Sequence, residues 1–332
     1  MKKIIIFYFF PLLLISQTEG KKYDSNLEDD FFTMFYNVEN LFDTINSPHT
    51  NDEEFLPLSK KLWNTERYFE KLSQLEKVFE AVKDMNDNQM PNIVGLSEVE
   101  NISVIKDLLN TPIFNNHNYN IVHQESPDNR GIDCALLFDN KFKLLKSDFI
   151  KLENLHANRP TRDIVYSKLQ FHDVFIHVFV NHWPSRWGGQ EETNHKRVFA
   201  ASVLKEYINT HIPDDEHILI MGDFNDYPSN ESLSDILVVD SFLNIMTTDS
   251  LMGIGSYNYK GDWNWLDQII VSKNLSDSNF NILSAGAFQQ DFMLYKNSKG
   301  EIYPSRTFGG NNWYGGFSDH LPVFCRIRYA QY

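Results

Sequence analysis

The sequence predicts an α/β protein in which two packed sheets are flanked by a few helices. Many short apolar runs alternate with turn residues, consecutive runs lie close enough to form hairpins, and only a few segments show helical periodicity. The chain has 332 residues, of which 42% are hydrophobic and 14% aromatic, so it can bury a large core. No linker rich in Pro, Gly or Ser and no repeat of fixed period interrupts the pattern, which favours a single domain.

Strands are predicted wherever an apolar run rich in β-branched and aromatic residues is bounded by turn residues. The pair His172-Asp173 separates two such runs by so little that it predicts a tight hairpin turn. In chain order, the predicted strands are 31–38, 92–99, 119–124, 132–138, 141–152, 163–171, 173–183, 217–224, 266–272 and 321–329.

Three segments are predicted as helices. Over residues 59–85, apolar side chains recur mostly every three or four positions, which is typical of an amphipathic helix. Residues 101–110 predict a shorter helix whose N-cap is Asn101 or Ser103. Residues 193–208 place their apolar side chains on one face and predict the third helix. Long irregular segments are usually functional or disordered. The longest such segments are 43–58, 183–192 and 292–317.

The bulk composition limits the partners that we expect. The formal net charge is −15 at pH 7, whereas proteins that bind nucleic acid tightly and without specificity usually have a basic face. An enzyme that acts on nucleic acid is not excluded, because basic loops can be local. The two cysteines, Cys134 and Cys325, lie within apolar runs, so we expect buried thiols rather than a disulfide.

Acidic, amide and histidine residues occur in short clusters at the ends of predicted strands. Because buried strands do not tolerate unpaired carboxylates, a carboxylate at a strand end usually lies at the rim of a sheet. Converging rims would form a pocket of carboxylate, amide and imidazole groups, which suits Mg²⁺ or Mn²⁺ and predicts metal-assisted phosphoester hydrolysis. The clusters are Asn37-Val38-Glu39, Glu98, Asp223-Phe224-Asn225-Asp226 and Ser318-Asp319-His320.

The cluster at the end of strand 217–224 gives the strongest signal. Gly222 is expected to turn the backbone sharply and to expose Asp223 and Asn225 on one side, two residues apart as the strand period requires. A carboxylate and an amide so placed can polarise water and hold a phosphate oxygen. Asp, Asn and Gly also favour ordinary turns, so the functional interpretation depends on the other clusters.

A histidine that is fixed by a separate carboxylate has one tautomer and a tuned pKa, as general acid–base catalysis requires. His320 is the candidate, and Asp267 is its expected partner, because a carboxylate entering an apolar strand needs a cationic or imidazole group nearby. His182 closes another apolar strand and either acts on the phosphate or packs beside Trp183.

Two carboxylates follow the first two predicted strands. Glu98 ends the second strand, and Glu39 lies two residues after Asn37 at the end of the first. We rank Glu98 above Glu100 as a metal ligand, because Glu100 lies at the head of a predicted helix and could interact with the helix dipole alone.

Together these segments resemble the endonuclease/exonuclease/phosphatase superfamily, which has the DNase I-like fold. The resemblance covers residues 31–329, with YNVEN, GLSEVEN, NHWP, GDFND, LDQ and SDHLP in the expected order. It implies a four-layer α/β/β/α sandwich of two mostly antiparallel sheets, with the site at the mouth between them. DEEFLP, SPDNRGIDCALLF, TRDI and HWPSRWGG are similar to segments of exported bacterial members.

The resemblance also implies roles for individual residues. The sequence leaves open whether Asp223 or His320 is the general base, and whether one or two metal ions bind. The candidate catalytic residues are Asp223, Asn225, His320, His182 and Asp267. The candidate ligands of Mg²⁺ or Mn²⁺ are Glu98, Asn37, Glu39 and Asp319. The arginines expected near the phosphate are Arg130, Arg162 and Arg186.

We therefore expect a divalent-metal-dependent phosphodiester hydrolase that acts on DNA or RNA. The alternative is a phosphatase or phosphodiesterase for a phospholipid, an inositol phosphate or another small ester. The chain lacks the Trp-Thr-Asp-Arg stretch of the inositol phosphatases, with WNWLDQ in its place, and it lacks a clear hydrophobic β-hairpin like that of sphingomyelinases. A non-catalytic binding module is disfavoured by the complete set of acidic, amide and histidine residues.

The N-terminus predicts export. Lys2 and Lys3 precede an apolar run over residues 4–15, and small residues follow. A membrane anchor is the alternative, but a spanning helix needs about 20 apolar residues, and this run is shorter and contains Pro11. We expect a periplasmic or extracellular monomer without stable membrane insertion. The predicted segments are a signal peptide (1–20), a spacer (21–30) and a catalytic domain (31–332).

Overall fold

The computed structural model describes residues 27–153, 160–239, 241–247, 251–276 and 279–331. The predicted signal peptide lies outside these residues. The α-helices are α1 (Thr65–Met85), α2 (Ile102–Leu109) and α3 (Gln190–His211). Short helical turns occupy Glu53–Phe55, Pro112–Phe114, Ser232–Leu237, Ile245–Thr247, Lys273–Leu275 and Asp291–Met293.

The described residues also form eighteen strands, many of them only two or three residues long. They are β1 (Leu27–Leu41), β2 (Ile93–Val99), β3 (Asn120–His123), β4 (Asp133–Phe138), β5 (Lys143–Ile150), β6 (Ile164–Phe171), β7 (Val174–His182), β8 (His217–Asp223), β9 (Phe242–Asn244), β10 (Tyr257–Tyr259), β11 (Asp262–Asn264), β12 (Asp267–Ser272), β13 (Phe280–Ala287), β14 (Leu294–Lys296), β15 (Ile302–Pro304), β16 (Phe308–Gly309), β17 (Asn312–Trp313) and β18 (Val323–Gln331).

Two six-stranded sheets contain most of these strands. The first has the order β13-β18-β1-β2-β4-β3, and the second has the order β5-β6-β7-β8-β12-β9. Each sheet has one parallel pair at its centre, β1 with β2 and β7 with β8, and all other neighbours are antiparallel. Because the strands of a parallel pair end at the same edge, the side chains at the ends of the two central strands of each sheet lie at one edge of that sheet.

The inner faces of the sheets pack on each other, and helices cover the outer faces. A side chain at Gly95 in β2 would place its Cβ 2.7 Å from the Sδ atom of Met221 in β8, so glycine permits a close approach of the two sheets. On the outer face of the second sheet, Ile220 packs in one cluster with Leu204 of α3. Buried residues of α1 and α2 join the core of the first sheet. This four-layer arrangement confirms the predicted fold class.

Two of the observed bounds show the largest differences from the predicted ones. β1 begins at Leu27, which pairs with Gln331, so the last residues of the predicted spacer belong to the first sheet. The predicted helix start at Ser59 is wrong, because α1 begins at Thr65 after the N-cap Asn64. The Asn64 side chain accepts a hydrogen bond from a backbone N–H of the first turn and so caps the start of the helix.

Three further expectations concern a turn, the cysteines and the membrane. The predicted hairpin is confirmed, since Phe171 pairs with Val174 across the tight turn between β6 and β7. Cys134 and Cys325 are buried free thiols, on strands that β1 and β2 separate. Within the described part of the chain, no helix combines the length and the apolar character that crossing a membrane requires.

Candidate active site

The residues predicted at strand ends meet at one edge that the two sheets share. In the second sheet, Asp223 at the end of β8 pairs in register with His182 of β7 on one side and with Asp267 of β12 on the other. Asn37, at a bulge in β1, crosses to the second sheet and donates a hydrogen bond from Nδ2 to Asp223 Oδ2 over 3.1 Å. The separate sequence clusters therefore form a single site.

Asp223 lies at the centre of this site. Its Oδ2 atom is 3.6 Å from His182 Nε2 and 3.8 Å from His320 Nε2. Its Oδ1 atom accepts a hydrogen bond of 2.9 Å from the backbone N–H of Asn225. Burial raises the pKa of Asp223 to about 7, which the charge of His320 opposes and the charge of Asp267 assists. A buried carboxylate that titrates near neutral pH is suited to accept a proton.

His320 and Asp267 form a buried pair in which His320 Nδ1 lies 2.7 Å from Asp267 Oδ2. Burial opposes the charge of the ring, but Asp267 and Asp223 together raise the pKa of His320 well above 6.5. Since the Asp267 carboxylate accepts a hydrogen bond from Nδ1–H, Nε2 is the nitrogen that remains for the reaction. Ligand atoms of Asp223, Asp267 and His320 lie within 4.8 Å of one another, but the short Nδ1–Oδ2 bond leaves no room for an ion between its two partners.

His182 has a different environment from His320. Its Nε2 atom is 3.9 Å from Glu98 Oε1 as well as close to Asp223, and its buried Nδ1 atom has no hydrogen-bond partner among the described residues. Burial lowers the pKa of His182 well below 6.5, and the charges of Arg162 and Arg130 lower it further. The ring is therefore neutral at pH 7, so it can donate a hydrogen bond but cannot act as a general acid.

Three of the candidate residues have a left-handed backbone conformation. The φ angles are 49° at Glu39, 63° at Glu98 and 51° at Asn225. The register of β1 against β2 shifts around Glu39, and the register of β2 against β4 shifts around Glu98, so these two residues lie in bulges. This conformation costs roughly 1–2 kcal/mol for a non-glycine residue. Such strain is concentrated at functional sites, and the sequence pattern did not predict it.

The prediction that Gly222 turns the chain is wrong. Gly222 lies within β8, where a Cβ atom would be 2.4 Å from the carbonyl oxygen of Asn181 in the neighbouring β7. Glycine is needed at this position because the two strands approach closely. The chain turns instead at Asn225, whose Nδ2 atom donates a hydrogen bond of 3.0 Å to the carbonyl oxygen of Trp183.

A second acidic group lies beside the site. Glu39 Oε2 accepts a hydrogen bond of 2.6 Å from Thr307 N, and Glu39 Oε1 is 3.4 Å from Arg306 Nη2. The same Nη2 atom is 3.0 Å from Asp319 Oδ2. The sequence pattern did not indicate Arg306 or Thr307, because both lie in the irregular segment 292–317. Their closeness to the Ser-Asp-His cluster in sequence is the one signal that could have indicated them.

The three arginines predicted to contact substrate have different environments. Arg162 is buried and donates a hydrogen bond of 3.0 Å to Asp128. Arg186 donates from Nε to the carbonyl oxygen of Asn225 over 2.6 Å and thereby supports the loop that carries this residue. Half of the Arg130 side chain is exposed, and its Nε atom lies 3.6 Å from Asp128. Of these three arginines, Arg130 alone therefore has a largely solvent-accessible side chain.

The donor set near Glu98 fits a hard divalent cation. Glu98 Oε2 accepts a hydrogen bond from Asn40 N over 2.9 Å, whereas Oε1 has no hydrogen-bond partner among the described residues. Asp319 supplies another partly exposed carboxylate. Asn37 Oδ1 accepts from Glu39 N over 3.0 Å, so the amide of Asn37 already binds protein atoms at both ends. Oxygen ligands of this kind suit Mg²⁺ or Mn²⁺, and Glu98 has the most available oxygen.

A family profile matches most of the chain. Residues 33–329 match the Endonuclease/Exonuclease/phosphatase family. The protein belongs to this family. The resemblance predicted from the strand-end motifs is therefore confirmed. Members of the family hydrolyse phosphoester bonds and depend on divalent metal ions.

Solved structures of the same fold extend over nearly the whole chain. A Bacteroides thetaiotaomicron endonuclease/exonuclease/phosphatase family protein is 13% identical, with a TM-score of 0.57 over 91% of this chain and 99% of that chain. The B. thetaiotaomicron mannosyl-6-phosphatase Bt3783 is 14% identical, with a TM-score of 0.54 over 90% and 99%. D. rerio TDP2, solved with a single-strand DNA product, is 13% identical, with a TM-score of 0.56 over 90% and 98%. No curated protein matches the chain significantly. At these identities the likeness shows the fold alone.

Proposed function

We propose that this protein is an exported, divalent-metal-dependent phosphodiester hydrolase that acts on DNA or RNA. The observation that supports the proposal best is the position of Asp223 within 4 Å of two imidazoles, His182 and His320, with Asp267 behind the second ring. Two imidazoles suit a phosphodiester, because each ring can donate a hydrogen bond to a different phosphate oxygen while Asp223 serves the attacking water.

Each side chain takes a role that follows from its surroundings. Asp223 accepts the proton of the attacking water, and Asn225 orients its carboxylate through the backbone N–H. His320, held by Asp267, presents a charged N–H at Nε2 to the phosphate. His182 donates a hydrogen bond to a non-bridging oxygen, since its neutral ring cannot act as an acid.

The proposed position of the metal is beside Glu98. Glu98 would hold Mg²⁺ or Mn²⁺ together with Asp319 and, to a lesser extent, Glu39 and Asn37. When bound, the ion would neutralise phosphate charge and stabilise the departing alkoxide.

A small phosphate ester is the second candidate substrate. The net charge of −15 favours it, because an acidic surface repels a long polyanion more than it repels a small ester. The similar fold of a mannosyl-6-phosphatase is compatible with this alternative. We favour nucleic acid because two histidines flank the central carboxylate.

A substrate panel separates the two candidates. Initial rates with Mg²⁺ or Mn²⁺ would be compared for single- and double-stranded DNA, RNA, sphingomyelin, inositol phosphates and mannose 6-phosphate. We expect a nucleic acid to give the highest kcat/KM. Because few phosphate contacts are available, the log–log slope of binding against salt should be only a few units. Much faster hydrolysis of a lipid or sugar phosphate would overturn the nuclease assignment.

The export proposal rests on the N-terminal segment and has its own test. The N-terminus of the protein, isolated from the periplasm or the medium of the producing cell, would be read by mass spectrometry. A new N-terminus near residue 20 is expected, whereas an intact Met1 on protein that stays inside the cell would contradict export. Light scattering of the same sample should give the mass of a monomer.

A further inference from the structure

An arginine in segment 292–317 lies against the acidic side of the site. Arg306 Nη2 is 3.0 Å from Asp319 Oδ2 and 3.4 Å from Glu39 Oε1. Asp319 directly precedes His320 in the chain, so the guanidinium contacts the residue next to the candidate catalytic imidazole. None of the arginines in the predicted basic turns holds this position.

Contacts with the protein interior fix the backbone of the segment next to Arg306. Thr307 N donates a hydrogen bond to Glu39 Oε2 over 2.6 Å. Lys71, a fully buried residue of α1, donates from Nζ to Thr307 Oγ1 over 2.7 Å and also to the carbonyl oxygen of Phe317. Burying an ammonium group is costly unless hydrogen bonds satisfy it, and here these bonds hold the segment. The position of Arg306 is therefore set by a helix outside the site.

The guanidinium of Arg306 retains free hydrogen-bond donors. Among the described residues, only its Nη2 atom has an acceptor, and 44% of the side chain is exposed. The N–H groups on Nε and Nη1 therefore remain for a ligand. By contrast, Arg162 is buried, and Arg186 donates to protein acceptors from all three of its nitrogens.

We propose that Arg306 binds a phosphate group of the substrate through N–H groups on Nε and Nη1, while Asp319 and Glu39 hold its Nη2 atom. The inference rests on the proposed function, because it assigns a binding residue to the substrate of that reaction. A planar group with five donors can contact two carboxylates and a phosphate at once, which a compact ammonium cannot do. Arg306 moves no proton, so its loss should weaken binding more than it lowers kcat.

Calorimetry with inorganic phosphate and kinetics with a DNA oligonucleotide test the proposal. Arg306→Met should weaken phosphate binding and raise KM for the oligonucleotide by about 10- to 100-fold, with kcat changed by less than about threefold. Arg306→Lys keeps a cation beside the carboxylates, so it should melt like the wild type yet regain only part of the phosphate affinity. Arg326→Met removes a surface arginine paired with Asp30 and is the matched control, for which wild-type values are expected.

Unchanged phosphate affinity in Arg306→Met would overturn the proposal. If that variant fails to fold, Arg306→Lys decides. Full phosphate affinity with lysine would overturn the proposal, because charge alone would then be sufficient. Tighter Mn²⁺ binding by Arg306→Met without loss of phosphate binding would show that the guanidinium is only a counter-ion of the carboxylates. Phosphate calorimetry needs no turnover. A wild-type protein that binds phosphate through Arg306 but cleaves no nucleic acid would thus support this assignment and contradict the proposed nuclease.

Discussion

Replacing Asp267 by asparagine tests whether the buried pair behind the site acts in the reaction. Asp267 Oδ2 is 2.7 Å from His320 Nδ1, and Asp267 Oδ1 has no partner among the described residues, so the side chain acts through the imidazole. A hydrogen bond to a charged group contributes about 1.5–3 kcal/mol. If the bond is made in the transition state, Asp267→Asn should lower kcat by about 10- to 150-fold. KM should change little, because Asp267 is fully buried and cannot reach a bound substrate.

The effects of replacing His320 and Asp267 on kcat should also be non-additive. His320→Ala alone should lower kcat by about 10²- to 10⁴-fold, and the double variant with Asp267→Asn should be no slower than His320→Ala. The assay is the initial rate of hydrolysis of a chromogenic phosphodiester with saturating Mg²⁺. Asp148→Asn, which alters an exposed carboxylate of β5 that contacts Tyr207, should keep the wild-type rate. If the two losses multiply, Asp267 does not act through His320 and the reasoning is refuted.

Three further predictions concern a side chain in the site, a glycine and a buried acid. Asp223→Asn should lower kcat by at least ~10²-fold with an unchanged melting temperature, and a collapsed melting temperature would instead mark a structural residue. Gly222→Ala should cost about 1–3 kcal/mol in urea unfolding, because the added Cβ would meet the carbonyl oxygen of Asn181; wild-type stability would refute the close approach. Burial raises the pKa of Asp163 to about 6, so its ionisation opposes folding as the pH rises from 4 to 6. Asp163→Asn should therefore stabilise the protein by about 1 kcal/mol at pH 7 and by much less at pH 4, and equal effects at both pH values would count against this assignment.

The sequence predicted most of the long strands of both sheets and missed those without a clear pattern. β13 ends in small residues, from Ser284 to Ala287, and its register against β18 shifts, so no strand period is visible. The start of β1 is rich in acidic residues and therefore looks like a polar spacer. In the structure, Asp30 forms ion pairs with Arg326 and Arg328 of the neighbouring strand. A single sequence does not show such cross-strand partners.

For the site, strand-end positions predicted which side chains meet but not how they are held. The pairing of His320 with Asp267 was predictable, because an apolar strand that begins with a carboxylate needs a partner. The left-handed conformation of Glu98 was not predictable, because a bulge depends on the register of both neighbouring strands. Arg306 and Lys71 were missed, because their importance comes from tertiary contacts of an irregular segment with α1.

Metal dependence at Glu98 is the most direct test of the central claim, which is metal-assisted phosphoester hydrolysis at this edge of the sheets. Hydrolysis of the preferred phosphodiester would be followed in Mg²⁺ and in EDTA, with Mn²⁺ binding measured by calorimetry, for the wild type, Glu98→Gln and the matched control Glu100→Gln. We expect that EDTA abolishes turnover, that Glu98→Gln loses most activity and Mn²⁺ affinity while remaining folded, and that Glu100→Gln retains both. Full turnover in EDTA, or wild-type rates and Mn²⁺ affinity in Glu98→Gln, would contradict the claim.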